Sequence, residues 1–225
     1  MTYGEIKLEA LKMMFLNAQD WINEDWLDTY ANDETYRSYL ANMQGSINRC
    51  FSTIEEKRIL PSRQKTLSVN EGVASGAFIR FDLPKLIEDY FDLDRVITES
   101  DNGDYEADCD YIREGNVLVL PCFWKEKNGE KLPCFDVNGS ISYHVVYKPT
   151  VKRVTGATAN TDKIDLPEGI AAYVPYYLKG ELFRDDEPNE AADAMNQFEQ
   201  RMNEIAERSV SRQTGVRSIY SQTEW

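Results

Sequence analysis

From Glu34 to Ile59 the apolar positions Tyr36, Leu40, Met43, Ile47, Cys50, Phe51 and Ile54 recur every three or four residues, a spacing that gathers them on one helical face. Pro61 supplies no amide and disfavours helical geometry at Leu60, so the helix is expected to stop there. Upstream, Thr2-Tyr3-Gly4-Glu5 has the form of a capping box, which predicts a helix carrying Ile6, Leu8, Leu11, Met14 and Phe15. The acidic, tryptophan-bearing stretch Asp20–Asp28 reads as a second, short helix. Between Gln64 and Lys148 the period drops to two, and three Asn-Gly pairs (Asn102-Gly103, Asn128-Gly129, Asn138-Gly139) separate strand-like runs. The last two pairs define a meander of Asn116–Trp124, Lys131–Val137 and Ser140–Tyr147. Val73–Phe81 supplies another strand, and Leu83–Tyr90 a short helix entered through Pro84. Two-residue turns also fix register. One at Asn102-Gly103 sets Arg95 opposite Asp110, and one at Asn128-Gly129 sets Cys122 opposite Phe135 and Cys134 opposite Phe123.

Beyond the loop Thr155–Thr161, helical periodicity returns. Pro167 opens a helix carrying Ile170, Tyr173, Val174, Tyr177, Leu178 and Leu182, in which Pro175 is expected to kink or displace the start. Asp185-Asp186-Glu187-Pro188 breaks the chain and starts a last helix, with acids at its positive end. Its stripe, Ala191, Ala194, Met195, Phe198, Met202 and Ile205, ends near Glu207. The fold class is therefore α+β: helices from both chain ends, with an antiparallel β domain between them. The expected divisions are 1–62, N-terminal helices; 63–150, β domain; 151–207, a helical hairpin packing on the first helices; and 208–225, a tail. Tyr173, Tyr176 and Tyr177 cover more than one face of the hairpin, more aromatic surface than one helix partner would bury, which marks them as intersubunit candidates.

Charge narrows the function. The chain has 25 Lys and Arg against 39 Asp and Glu, a net of −14, the wrong sign for gripping nucleic acid through a basic face. Only the tail reverses sign, with Arg208, Arg212 and Arg217 against Glu224, and its apolar residues Val210, Val216, Ile219, Tyr220 and Trp225 lack a period, as in a segment that orders on a partner. There is no apolar run of membrane-spanning length and no signal-like start, so a soluble, intracellular chain without membrane contact is expected. The chain carries a single histidine, His144, in mid-strand with no nucleophile motif nearby, and it reads as structural. No glycine-rich phosphate cradle occurs, so no cofactor is expected. Cys50, Cys109, Cys122 and Cys134 lack metal or redox spacing and read as reduced packing residues. Asp104, Glu106, Asp108 and Asp110 alternate along one strand without a calcium-loop pattern, which favours a solvated acidic face over a metal site.

Two stretches carry a resemblance. Tyr39-Leu40-Ala41-Asn42-Met43-Gln44-Gly45-Ser46-Ile47-Asn48-Arg49, closing at Leu60-Pro61, resembles the N-terminal helix of tailed-phage head–tail connector (neck adaptor) proteins. The block Leu166-Pro167-Glu168, Val174–Leu182, Asp186–Ala191 and Phe198-Glu199 resembles the same family's proline-started, tyrosine-rich helix, acidic elbow and alanine-rich helix. The central β domain is similar to that inserted in the larger connectors. The resemblance implies a non-enzymatic virion protein in a twelvefold ring beneath the portal, assembled in the host cytoplasm. The ring would meet the portal protein and downstream tail or neck proteins, and DNA would pass through it without sequence-specific binding during genome ejection. It also implies a portal-docking role for the C-terminal arm, here Arg208, Arg212, Arg217, Ile219, Tyr220 and Trp225. An acidic body suits such a channel, because like charges let the duplex slide. Two other readings stay open: a β-rich ligand-binding module presenting Phe123, Trp124 and Tyr143, and a metal-assisted hydrolase built on Asp104–Asp110.

Overall fold

The computed structural model describes residues 1–15, 27–100, 105–107, 111–127, 129–136, 138 and 141–220, with 28, 30, 105–107 and 209–220 described by backbone alone. It is an α+β protein with two compact units: Met1–Leu60 together with Val151–Trp225, and Pro61–Thr150.

In the helical unit, α1 (Tyr3–Met14) begins at the expected capping box: the Glu5 amide donates to Thr2 Oγ1 at 3.1 Å, and the Thr2 amide to Glu5 Oε2 at 2.7 Å. α2 is the short Leu27–Tyr30, and the rest of the helix expected over Asp20–Asp28 lies outside the described residues. α3 (Glu34–Glu56) is capped by the Asp33 carboxylate, and its Met43, Ile47, Cys50, Phe51 and Ile54 are fully buried. It ends earlier than Pro61 requires. Arg58 takes a left-handed φ of 55°, which turns the chain before the proline can act. After α5 (Glu168–Ala171) the helix restarts as α6 (Val174–Leu182), with Pro175 in its first turn, where its missing amide costs nothing. α6 packs against α1, α3 and α7 (Pro188–Tyr220). α7 runs past the end expected near Glu207, because nothing between Glu207 and Gly215 breaks a helix, although the apolar stripe has run out.

Gly180 sets the closest approach of α6 to α7. A Cβ there would lie 3.0 Å from the Met195 Cβ and 3.1 Å from the Ala191 carbonyl oxygen. Gly180→Leu is therefore expected to force the two helices apart and lower stability by roughly 3 kcal/mol, read as a fall in urea midpoint. An unchanged midpoint would mean that the contact is loose.

The β unit holds two antiparallel four-stranded sheets. One has the order β1 (Arg63–Thr66), β10 (Ile141–Pro149), β4 (Tyr90–Ser100), β5 (Tyr105–Ala107). The other has the order β2 (Val73–Ser75), β3 (Phe78–Asp82), β7 (Val117–Pro121), β6 (Ile112–Glu114). Alternate residues of both, including Ile79 and Phe81, Leu118 and Leu120, and Tyr143, Val145 and Tyr147, form one core. α4 (Leu83–Leu86) follows β3 through Pro84.

The third pairing is the hairpin of β8 (Phe123–Lys127) and β9 (Glu130–Cys134). Its register places Phe123 opposite Cys134 around Gly129, whose φ is +83°, as expected from Asn128-Gly129.

Four expectations need correction. Val73–Phe81 is a hairpin and not one strand, turning at Gly76-Ala77, and a further hairpin turns at Gly115-Asn116. Both turns open on a glycine with positive φ, a signal as good as Asn-Gly. Asn116–Trp124 is two strands that break at Cys122. The expected meander is absent among the described residues. β9 pairs with β8 alone, and Pro133, lacking an amide, suits it to an edge, while β10 lies between β1 and β4. Finally, Glu99 pairs with Tyr105 across five residues, one step from the register of a two-residue turn at Asn102-Gly103, so the Arg95–Asp110 pair does not follow. Asp110 itself lies outside the described residues.

Candidate functional site

The polar centre of the helical unit is a clasp between α3 and the returning chain. Asn48, Ser52 and Glu55 stand about one turn apart on α3. Asn48 exchanges two hydrogen bonds with the Val154 backbone, donating to its carbonyl at 2.9 Å and accepting from its amide at 3.0 Å. Glu55 Oε1 accepts from the Val151 amide at 2.6 Å, and the Arg153 guanidinium grips both carboxylate oxygens at 2.9 and 2.6 Å while reaching Ser52 Oγ. Glu55 is only 3% exposed. Sequence reading missed this pair, because a Glu and an Arg 98 residues apart look like solvated charges. The one available signal was Glu55 lying beside the apolar stripe at Ile54.

A second polar junction ties three helices. Lys179 on α6 donates to the Met13 carbonyl near the end of α1 at 2.9 Å, and to Glu190 on α7 at 2.6 Å. A shallow groove of about 250 Å³ beside it is lined by Met13, Tyr176, Lys179, Glu190, Asp193, Ala194 and Gln197. Arg49 pairs with Glu181, and Tyr39 donates to Asp186 of the acidic elbow. Burial, aided by the adjacent Asp186 carboxylate, pushes the Tyr39 hydroxyl up to about 12, so it stays a donor at any working pH.

The three tyrosines are half-buried. Tyr173 is displaced off the helix to the N-cap of α6, stacks on Tyr176 at 5.4 Å and lies beneath the Arg201 guanidinium. Tyr177 meets the buried Phe198 edge-on at 5.1 Å, and burial, then the Glu181 carboxylate, raises its pKa. Tyr176 is thus the one that faces the groove. In the tail, Arg208, Arg212, Arg217, Ile219 and Tyr220 lie on α7, and Trp225 lies outside the described residues.

His144 sits buried in β10, its Nε2 2.8 Å from Glu99 and its Nδ1 3.0 Å from Thr66 Oγ1, held as a structural strand residue would be. Of the acidic series, Glu106 lies in β5, while Asp104, Asp108 and Asp110 fall outside the described residues. Among the described residues no group of three or more His, Cys, Asp or Glu is placed to hold a metal. Tyr143 turns into the core against Phe135, whereas Phe123 and Trp124 are exposed on the β8–β9 hairpin, so the three do not form one site. Among the described residues no helix is long and apolar enough to cross a membrane.

The exposed apolar side chains of the β unit include Val73, Phe78 and Ile112 on its second sheet, and Phe123, Trp124 and Leu132 on the hairpin. Apolar side chains left exposed by the fold are candidates for contact with another chain. The model of the SU10 adaptor protein family matches residues 1–219, and the chain belongs to that family of bacteriophage adaptor proteins. A comparison with curated proteins finds no match.

Proposed function

We propose that this chain is a head–tail connector subunit, a non-enzymatic virion component forming a twelvefold ring beneath the portal through which DNA passes. The family match over residues 1–219 carries the reading. The net charge of −14 supports it, since an acidic lining repels the duplex and keeps it mobile. In this reading the tail residues Arg208, Arg212, Arg217, Ile219, Tyr220 and Trp225 dock on the portal. The tyrosine-bearing hairpin and the exposed apolar side chains of the β unit meet neighbouring copies or the next neck protein. Assembly takes place in the host cytoplasm, and the final position is the virion neck. The mass of the purified protein, alone and mixed with portal, tests this. A ring or a portal complex is expected, and a monomer indifferent to portal overturns it.

The tyrosines give a finer test. Tyr176→Ala is expected to weaken assembly by about 2 kcal/mol, in the range of an interface hot spot, with a smaller loss of the subunit's own stability through the lost contacts with Tyr173 and the core. Tyr177→Ala should instead lower subunit stability, because its ring packs on Phe198. If both variants destabilise the subunit and neither affects association, the interface lies elsewhere.

A further inference from the structure

Cys122 lies between β7 and β8, and Cys134 ends β9. Their sulfur atoms converge on one acceptor: Cys122 Sγ–H donates to the Phe123 carbonyl oxygen at 3.5 Å, and Cys134 Sγ–H to the same oxygen at 3.4 Å. Strict alternation from the Phe123–Cys134 pair would send the two side chains to opposite faces of the ribbon. The ladder, however, breaks between Pro121 and Phe123, and the Cys122 amide is turned to the Ala77 carbonyl at 2.8 Å, so Cys122 is not held to the ladder's alternation and its sulfur reaches the same acceptor as that of Cys134.

We propose that Cys122 and Cys134 are an oxidation-closed staple at the base of the β8–β9 hairpin. The half-buried Cys134 is the entry point and Cys122, 5% exposed, the resolving thiol. With a peroxide as oxidant, Cys134 takes one oxygen to become a sulfenic acid and releases water. The Cys122 sulfur then attacks the Cys134 sulfur, the S–O bond breaks, and a second water leaves. In total two thiols and one hydrogen peroxide give one disulfide and two waters. Cys50, fully buried in the helical core, takes no part.

The hairpin has a use for such a bond. All five residues of β8 are exposed, and a two-stranded ribbon is marginal by itself. It is tied down at its base by the Cys122 amide and by Trp124 Nε1–H donating to the Gly76 carbonyl at 2.6 Å. A disulfide across Cys122–Cys134 would add a covalent closure at that end, removing open conformations. In a particle assembled in a reducing cytoplasm and then released, the staple closes after release. That consequence rests on the connector reading, and the bond itself does not.

The full chain and its Cys109→Ser variant, treated with hydrogen peroxide, provide the test. Lys125, Lys127 and Lys131 lie between the two cysteines, so after tryptic digestion an intact bond joins two peptides that separate on reduction. The expected result is that linked pair in both proteins. Amide exchange in the hairpin should also slow by ~10-fold on oxidation, an effect missing in Cys134→Ser. Sulfinic acid at Cys134 with a free thiol at Cys122, linkage through Cys109 alone, or equal slowing in Cys134→Ser overturns the proposal. Because the readout is made on the isolated chain, failure here leaves portal binding untested and untouched, and failure of portal binding leaves the staple standing.

Discussion

Arg153→Met is expected to cost the helical unit about 3 kcal/mol, because it leaves a buried carboxylate without its cation. The loss comes from the survivor. Glu55, 3% exposed, would be left with the Val151 amide as its remaining described partner, far from the water that solvates it in the unfolded chain. The opposite deletion is milder. Glu55→Gln keeps an oxygen for the Val151 amide and leaves Arg153, whose side chain is 40% exposed, able to turn to solvent, so a loss of about 1 kcal/mol is expected.

The double variant Glu55→Gln/Arg153→Met should recover part of the loss of Arg153→Met, since a neutral amide is cheaper to bury than an unpaired carboxylate. Urea unfolding followed by far-ultraviolet circular dichroism checks the order of the three. Equal losses in both single variants would mean that the clasp acts as packing and not as a charge pair.

The clasp also shows where sequence reading stops. The capping box at Thr2 and Glu5, the stripe from Met43 to Ile54 and the Phe123–Cys134 register were legible because each depends on neighbours within a turn or a hairpin. The partnership of β10 with β1 and β4 was not, since a strand buried on both faces carries no local mark of which strands flank it. Pro133 did carry a mark: it forbade the central place given to its strand in the expected meander. On the functional side, Tyr173, Tyr176 and Tyr177 were picked out by aromatic crowding alone, and contact with Phe198 and Arg201 separates Tyr177 and Tyr173 from Tyr176. The exposed Val73, Phe78 and Ile112 escaped notice because period two tells which residues share a face, not which face is covered.

If the chain docks on portal through its tail as proposed, removing Arg208–Trp225 is expected to leave the fold intact and abolish that docking. Met202 on α7 is fully buried and Ile205 and Ala206 pack against the core, so the truncation keeps the buried face of the helix and its hairpin with α6. The removed segment holds three arginines and one glutamate on a chain that is otherwise strongly acidic. Its backbone continues α7 to Tyr220, which places Arg208 and Arg212 about one turn apart along the helix. The truncated chain should therefore melt as the full chain does, while portal affinity falls at least ~100-fold, or about 2.7 kcal/mol. Reversing Arg208, Arg212 and Arg217 to Glu separates charge from contact area. If the arginines pair with acidic groups on the portal, binding by the intact chain weakens as salt rises, and the reversed variant loses both the affinity and that salt dependence. Full portal binding by the truncated chain would remove the arm from the proposed docking role and leave the hairpin tyrosines and the β unit as the candidate contact surfaces.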